Sequence, residues 1–153
     1  MDTLKPLFSS AFLFRDQPVS VPADLRPIWR LSLLMLLLNR CCKQGKASLQ
    51  KLHVLNWALR TPESRQAMLE ALDGLVKPDS ALVRFDPALN KTLDLARGED
   101  LVEQLDGPRY QITAKGLAIA EELAKDQTAF QVEQNFLETI GSRLTESFVA
   151  KMM

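Results

Sequence analysis

Apolar positions change period several times between Leu82 and Gly116, and each change marks a predicted element. Leu82, Val83 and Phe85 form a short β-prone run. Asp86-Pro87 predicts a helix start, because an Asp side chain accepts hydrogen bonds from free amides and Pro suits the first helical position. Leu89, Leu93 and Ala96 recur at helical spacing, and Gly98 is placed to end that helix in the left-handed conformation. Leu101 to Leu105 and Arg109 to Ile112 flank Asp106-Gly107-Pro108, a turn between two strand-like runs, which predicts a β-hairpin. Thr113 then caps a helix carrying Leu117, Ala120 and Leu123 on one face. Strand, helix, hairpin, helix is the order of a winged helix-turn-helix ending.

Upstream, the same reading predicts a helix from about Leu25 to Lys43, capped by Asp24, with apolar residues all around its axis. Gln44-Gly45-Lys46 breaks it, and Ser48 caps a second helix on which Leu49, Leu52, Leu55 and Leu59 share a face. Thr61-Pro62-Glu63 starts a third, with Met68, Ala71, Leu72 and Leu75 on its apolar side and Gly74 at its end. Lys77 to Ser80 reads as a loop. Residues 1–23 read as an arm, because Pro6, Pro18 and Pro22 interrupt any period. After the hairpin and its following helix, a last helix is expected from about Thr128 to Met152, with Phe130, Leu137, Ile140, Leu144 and Phe148 at helical steps. The expected fold is mainly α with a small β-hairpin. A winged helix-turn-helix domain over 24–125 carries an added N-terminal arm (1–23) and a C-terminal helix (126–153).

With 153 residues, 46% hydrophobic and 25% charged, the chain is long enough and apolar enough to bury a core. The apolar block Leu31 to Leu38 is far short of the ~20 residues a membrane-spanning helix needs. The N-terminus shows no basic region or cleavage pattern of a leader, so a cytoplasmic location without membrane contact is expected. Cys41 and Cys42 are adjacent and have no third cysteine to pair with, and His53 is the one histidine. A core-edge histidine bonded to a carbonyl is the ordinary expectation for His53. No nucleophile motif, phosphate loop, metal motif or nucleotide fingerprint accompanies it, so a non-enzyme with no cofactor and no metal is expected.

Net charge is zero but unevenly spread. Asp24 to Arg65 carries eight basic residues against two acids, a surplus of six, and Gln66 to the end carries nine against fifteen, a deficit of six. Arg40, Lys43, Lys46 and Lys51 cluster around the Gly45 turn as candidates for contact with a partner or a nucleic-acid backbone. A solvated surface is the plainer reading of each taken alone. Between Asp86 and Arg109, six acids (Asp86, Asp94, Glu99, Asp100, Glu103, Asp106) face three bases, Lys91, Arg97 and Arg109. That balance is poor for phosphate neutralisation. Asn90, Lys91, Arg97 and Arg109 remain candidates for base or partner contact, with a local helix-start hydrogen bond the plainer role for Asn90. Phe8, Phe12 and Phe14 in the arm, and Phe130, Leu137, Ile140, Leu144 and Phe148 in the last helix, are candidate interface residues.

Several of these residues together resemble a known family. Arg30-Leu31 and the leucines after it, Leu49, Leu52-His53, Leu55, Trp57, Arg84-Phe85-Asp86-Pro87 with Leu89-Asn90, and Ile112-Thr113 with Gly116 resemble the middle components of ABC-three-component defence systems, of which Lamassu-type systems are examples. The resemblance spans roughly Asp24 to Lys125 and rests most on the Arg-Phe-Asp-Pro-x-Leu-Asn block. It implies a small winged-helix subunit, without catalysis of its own, that joins an SMC-like ATPase to an effector such as a nuclease. DNA contact would then be indirect, through the complex, and association with a second copy is compatible with the charge pattern. The competing reading is a winged-helix transcription regulator with a helix in the DNA major groove.

Overall fold

A computed structural model describes residues 26–81, 83–126 and 128–153. The fold is mainly helical with a small antiparallel sheet. Its centre is α1 (Pro27–Cys41), in which every residue from Leu31 to Leu38 is buried. A helix apolar on all sides has no solvent face to offer and must be enclosed. Three later helices pack on it: α4 (Pro87–Gly98), α5 (Ala114–Lys125) and α6 (Gln131–Ile140). Each leucine removed from water contributes ~1.5–3 kcal/mol, so this one helix organises the core. It begins at Pro27, with Arg26 as an N-cap that makes no side-chain cap bond, later than the predicted start near Leu25. The predicted Asp24 cap lies outside the described residues.

The elements that follow are set largely by their caps. A short 3-10 turn (Lys43–Gly45) leads into β1 (Lys46–Ser48), and the Ser48 side chain accepts the Lys51 amide at the start of α2 (Leu49–Arg60). Thr61 and Ser64 form a reciprocal capping box that opens α3 (Pro62–Leu72). On α3, Met68 and Ala71 are buried, whereas Leu75 lies past the helix end and is exposed, not part of its apolar side as predicted. Residues 77–80 contain a 3-10 turn, Pro78–Ser80. Asp86 caps α4, its Oδ1 accepting the Ala88 amide at 3.0 Å, with Pro87 in the first turn as predicted. Thr113 caps α5 by accepting the Gly116 amide.

Residues 83–86 form no strand. The third strand is β1, which pairs antiparallel with β3 (Arg109–Ile112), while β2 (Val102–Gln104) pairs with β3 on its other side. The order is therefore β1-β3-β2. The predicted hairpin is present, and the predicted strand before α4 is replaced by one borrowed from the α1–α2 connection. Gly45 makes this possible: its φ is +68°, and a Cβ there would strike the Ile112 side chain.

Two further corrections concern helix ends. Gly98 stays helical, and Asp100 takes the left-handed conformation, φ 63°. The Leu101 amide reaches the Ala96 carbonyl at 2.8 Å and the Asp100 amide reaches Arg97 at 3.1 Å, the paired bonds of a Schellman ending. The expected single C-terminal helix is two, α6 and α7 (Glu146–Met152). Gly141, at φ 52°, ends the first, and Thr145 caps the second by accepting the Phe148 amide. Both pack within the chain: Leu137, Ile140 and Leu144 are fully buried, and Phe130 and Phe148 lie half-buried against the core. The Phe130 ring sits 5.7 Å from that of Trp29. These side chains thus belong to the chain's own core and its edge, not to an uncovered face as expected. Phe8, Phe12 and Phe14 lie outside the described residues.

Candidate functional site

Residues far apart in the chain meet where α1, α2 and the start of α4 converge. The Asp86 carboxylate that caps α4 also receives Arg30 from α1 at 3.0 Å and Arg60 from α2 at 2.9 Å, both on Oδ2. The Asp86 amide points to His53 Nδ1 at 3.4 Å, and the His53 ring stacks on Phe85 with centroids 4.2 Å apart and planes 7° off parallel. Asn90, one turn into α4, lies near enough to act on the titration of the same imidazole. His53 therefore accepts from a backbone amide instead of bonding a carbonyl. Arg30, His53, Phe85, Asp86 and Asn90 all belong to the blocks that carry the family resemblance, and nothing in their spacing announces that they touch.

Electrostatics at this junction follow from burial and charge. Burial alone would raise the Asp86 carboxyl, but the Ala88 amide, the Arg30 hydrogen bond and the positive charges of Arg30 and Arg60 outweigh it and hold it below the ordinary range. Burial lowers His53, against the opposing pull of Asn90 and Asp86, so the imidazole stays neutral and keeps Nδ1 as an acceptor. With Arg30 and Asp86 side chains only 11% and 15% exposed, the pair ties α4 to the central helix.

Beyond the junction lies the outer face of α4 and the hairpin. Asn90, Lys91, Asp94 and Arg97 are exposed on α4, with Arg97 4.0 Å from Asp94. Glu103, Asp106 and Arg109 are exposed on the hairpin, Asp100 is exposed before it, and Glu99 is half-buried. Of the six acids in this region only Asp86 is drawn inward onto arginines. Five carboxylates stay at the surface with Lys91, Arg97 and Arg109, and no continuous cationic stripe forms over α4 and the hairpin.

The basic cluster does assemble. Arg40, Lys43, Lys46 and Lys51 line one cleft of about 340 Å³ together with Cys41, Cys42, Ser142, Leu144, Thr145 and Glu146. Lys43 is exposed, Arg40 and Lys46 are half-buried, and Lys51 is only 5% exposed. Sequence spacing brought these four bases near one turn, but it gave no sign that Lys51 is buried or that the 142–146 segment forms the other wall. Burial pushes the Cys41 thiol up to about 11 and Cys42 to about 12, Lys51 pulling both the other way, so both thiols are protonated at neutral pH. Cys41 Sγ approaches the Leu137 carbonyl at 3.4 Å.

Among the described residues no helix is long and apolar enough to cross a membrane, and no group of three or more His, Cys, Asp or Glu is arranged to hold a metal ion. Compared with known proteins, the chain matches no family model, no curated protein and no solved structure.

Proposed function

We propose that this chain is a winged-helix adaptor subunit, without catalysis of its own, that joins an SMC-like ATPase to an effector such as a nuclease in an anti-phage or anti-plasmid defence complex. The observation that carries the adaptor reading is the acidic outer surface of α4 and the hairpin. A winged helix that reads DNA sets the helix before its hairpin against phosphates, and each phosphate neutralised by Lys or Arg contributes about −0.9 to the salt slope of log affinity. Here that helix and hairpin present five carboxylates and three bases, a surface suited to basic protein partners. The strand order β1-β3-β2, with α4 leading into the hairpin, supports the winged-helix description. The resemblance carried by Arg30, His53, Phe85, Asp86 and Asn90 supports the defence-system setting, strengthened by their meeting in one junction.

Co-expression with the products of adjacent genes, followed by purification and mass analysis, tests the reading. Recovery with a coiled-coil ATPase is expected. A lone dimer that binds one DNA sequence tightly at raised salt would instead make the chain a transcription regulator.

A further inference from the structure

Among the described residues one buried side-chain polar atom has no hydrogen-bond partner, Asn56 Nδ2 on α2. An amide donor hidden from water without an acceptor is destabilising by the desolvation of the group, and proteins rarely keep one without use. Asn56 stands in the wall of a cavity of about 210 Å³ bounded by α1, α2, α4 and α6. Leu34, Leu37, Leu59 and Leu89 form its buried floor, while Trp29 is half-buried and Arg60 is exposed at its edge. The space is too large for one water, whose share of liquid volume is about 30 Å³, and leucine walls lack the roughly two to four polar partners that each buried water needs.

The polar groups around the cavity are balanced in charge. Arg30 and Arg60 are both held on Asp86 Oδ2, and Glu133 adds a second carboxylate, so two positive charges meet two negative ones. An ionic ligand would enter without a counter-charge, and burying an unpaired charge is strongly unfavourable. A neutral ligand meets no such penalty. Thr92 Oγ1 donates its proton to the Ala88 carbonyl at 2.9 Å, which leaves the hydroxyl only as an acceptor toward anything else. The wall therefore offers a donor with nothing to bond, Asn56 Nδ2, acceptors at Thr92 and Glu133, and leucine over most of the rest. An engineered apolar cavity of about 150 Å³ holds benzene, so this one has room for a single ring with one polar substituent.

We propose that this cavity binds a small neutral molecule with an apolar ring and an amide group, its carbonyl oxygen accepting from Asn56 Nδ2 and its N–H donating to Thr92 or Glu133. The leucines cover the ring, and the amide satisfies the donor that the fold leaves without a partner. Leu89 and Thr92 are buried residues of α4, so the ligand rests between α4 and the central helix, beside the Arg30–Asp86 bond that ties the two together. The site lies apart from the exposed acidic face of α4, and the inference is independent of the adaptor reading.

Titration of the full chain with benzamide, followed by calorimetry and by NMR, tests the proposal, with toluene as the ring alone and benzoate as the charged counterpart. Benzamide should bind with a dissociation constant of about 1 mM or below, the range open to so small a molecule, and should shift the Asn56 side-chain amide resonances. Benzoate should bind at least about tenfold more weakly. Asn56→Leu nearly keeps the shape and removes the orphan donor, so it should melt at or above the wild-type temperature. It should weaken benzamide about fivefold or more relative to toluene, the factor a lost neutral hydrogen bond contributes. Loss of benzamide and toluene to the same extent would mean that Asn56 only shapes the wall, and would overturn the proposal. Benzoate bound as tightly as benzamide overturns it as well. If Asn56→Leu fails to fold, the wild-type spectrum decides: no benzamide binding, or shifts that leave the Asn56 amide untouched, overturn it.

Discussion

Asp86 shows how much a single side chain holds together. One oxygen caps α4 through the Ala88 amide and the other receives Arg30 and Arg60. Asp86→Ala should lower stability by about 2–4 kcal/mol, more than a lost cap alone, because it leaves the little-exposed Arg30 without its counter-charge. Denaturant unfolding of the variant checks this, and a loss under about 0.5 kcal/mol would remove Asp86 from the structural centre. The pH dependence has a definite sign at both groups. Asp86 titrates lower in the folded chain than its ordinary 3.8, so its contribution is complete above that value and is lost as pH falls through the folded pKa. His53 also titrates below its ordinary 6.5, because burial favours the neutral ring. Its unfolded form takes up a proton first, so stability is complete above about 6.5 and declines as pH falls below it, until the folded ring titrates. Thermal melts across this range should show that decline in the wild type and a smaller one in His53→Gln. Equal slopes in the two proteins would contradict it.

At the scale of elements, caps were the most legible part of the sequence because a cap is local. Ser48, Thr61, Asp86 and Thr113 each accept an amide two or three residues ahead, and their positions fixed four helix starts without tertiary information. The strand β1 was not legible. Lys46-Ala47-Ser48 has no β-prone composition and becomes extended only because β3 pairs with it. Val83 to Phe85 show the converse: β-prone residues with no strand to pair with stay irregular. The split between α6 and α7 was hidden because Leu137, Ile140, Leu144 and Phe148 keep helical spacing across the break that Gly141 imposes. Since Leu137 is fully buried and its carbonyl faces Cys41, Leu137→Ala should cost ~2–5 kcal/mol. A cost within error would show that α6 is not fixed to α1. Gly116 makes a similar demand on α5. A Cβ there meets the Leu101 carbonyl, the Ile112 side chain and, at 3.0 Å, the Met35 sulfur, so Gly116→Ala should destabilise despite the better helix propensity of Ala. Unfolding in denaturant would record a gain if the contact were slack.

Over the whole molecule, the charge imbalance seen along the chain becomes a division in space. The basic residues near Gly45 gather at one cleft, while the carboxylates of α4 and the hairpin remain outward around the β2 side. The sequence showed the two groups of charges, because counting needs no structure. It did not show the junction of Arg30, His53, Arg60 and Asp86, which requires residues 26 to 56 positions apart to meet. Nor did it show that Lys51 is buried, since Lys43 close by is exposed and Lys46 only half-buried. The most direct test of an acidic surface that binds protein is charge reversal at Asp94, Glu103 and Asp106 together, which are exposed and outside the core. Their partner recovery from the co-expressed operon should be measured against the wild type at equal melting temperature. Loss of the ATPase from the purified complex is the expected result, and undiminished recovery of the ATPase by the reversed chain would contradict it.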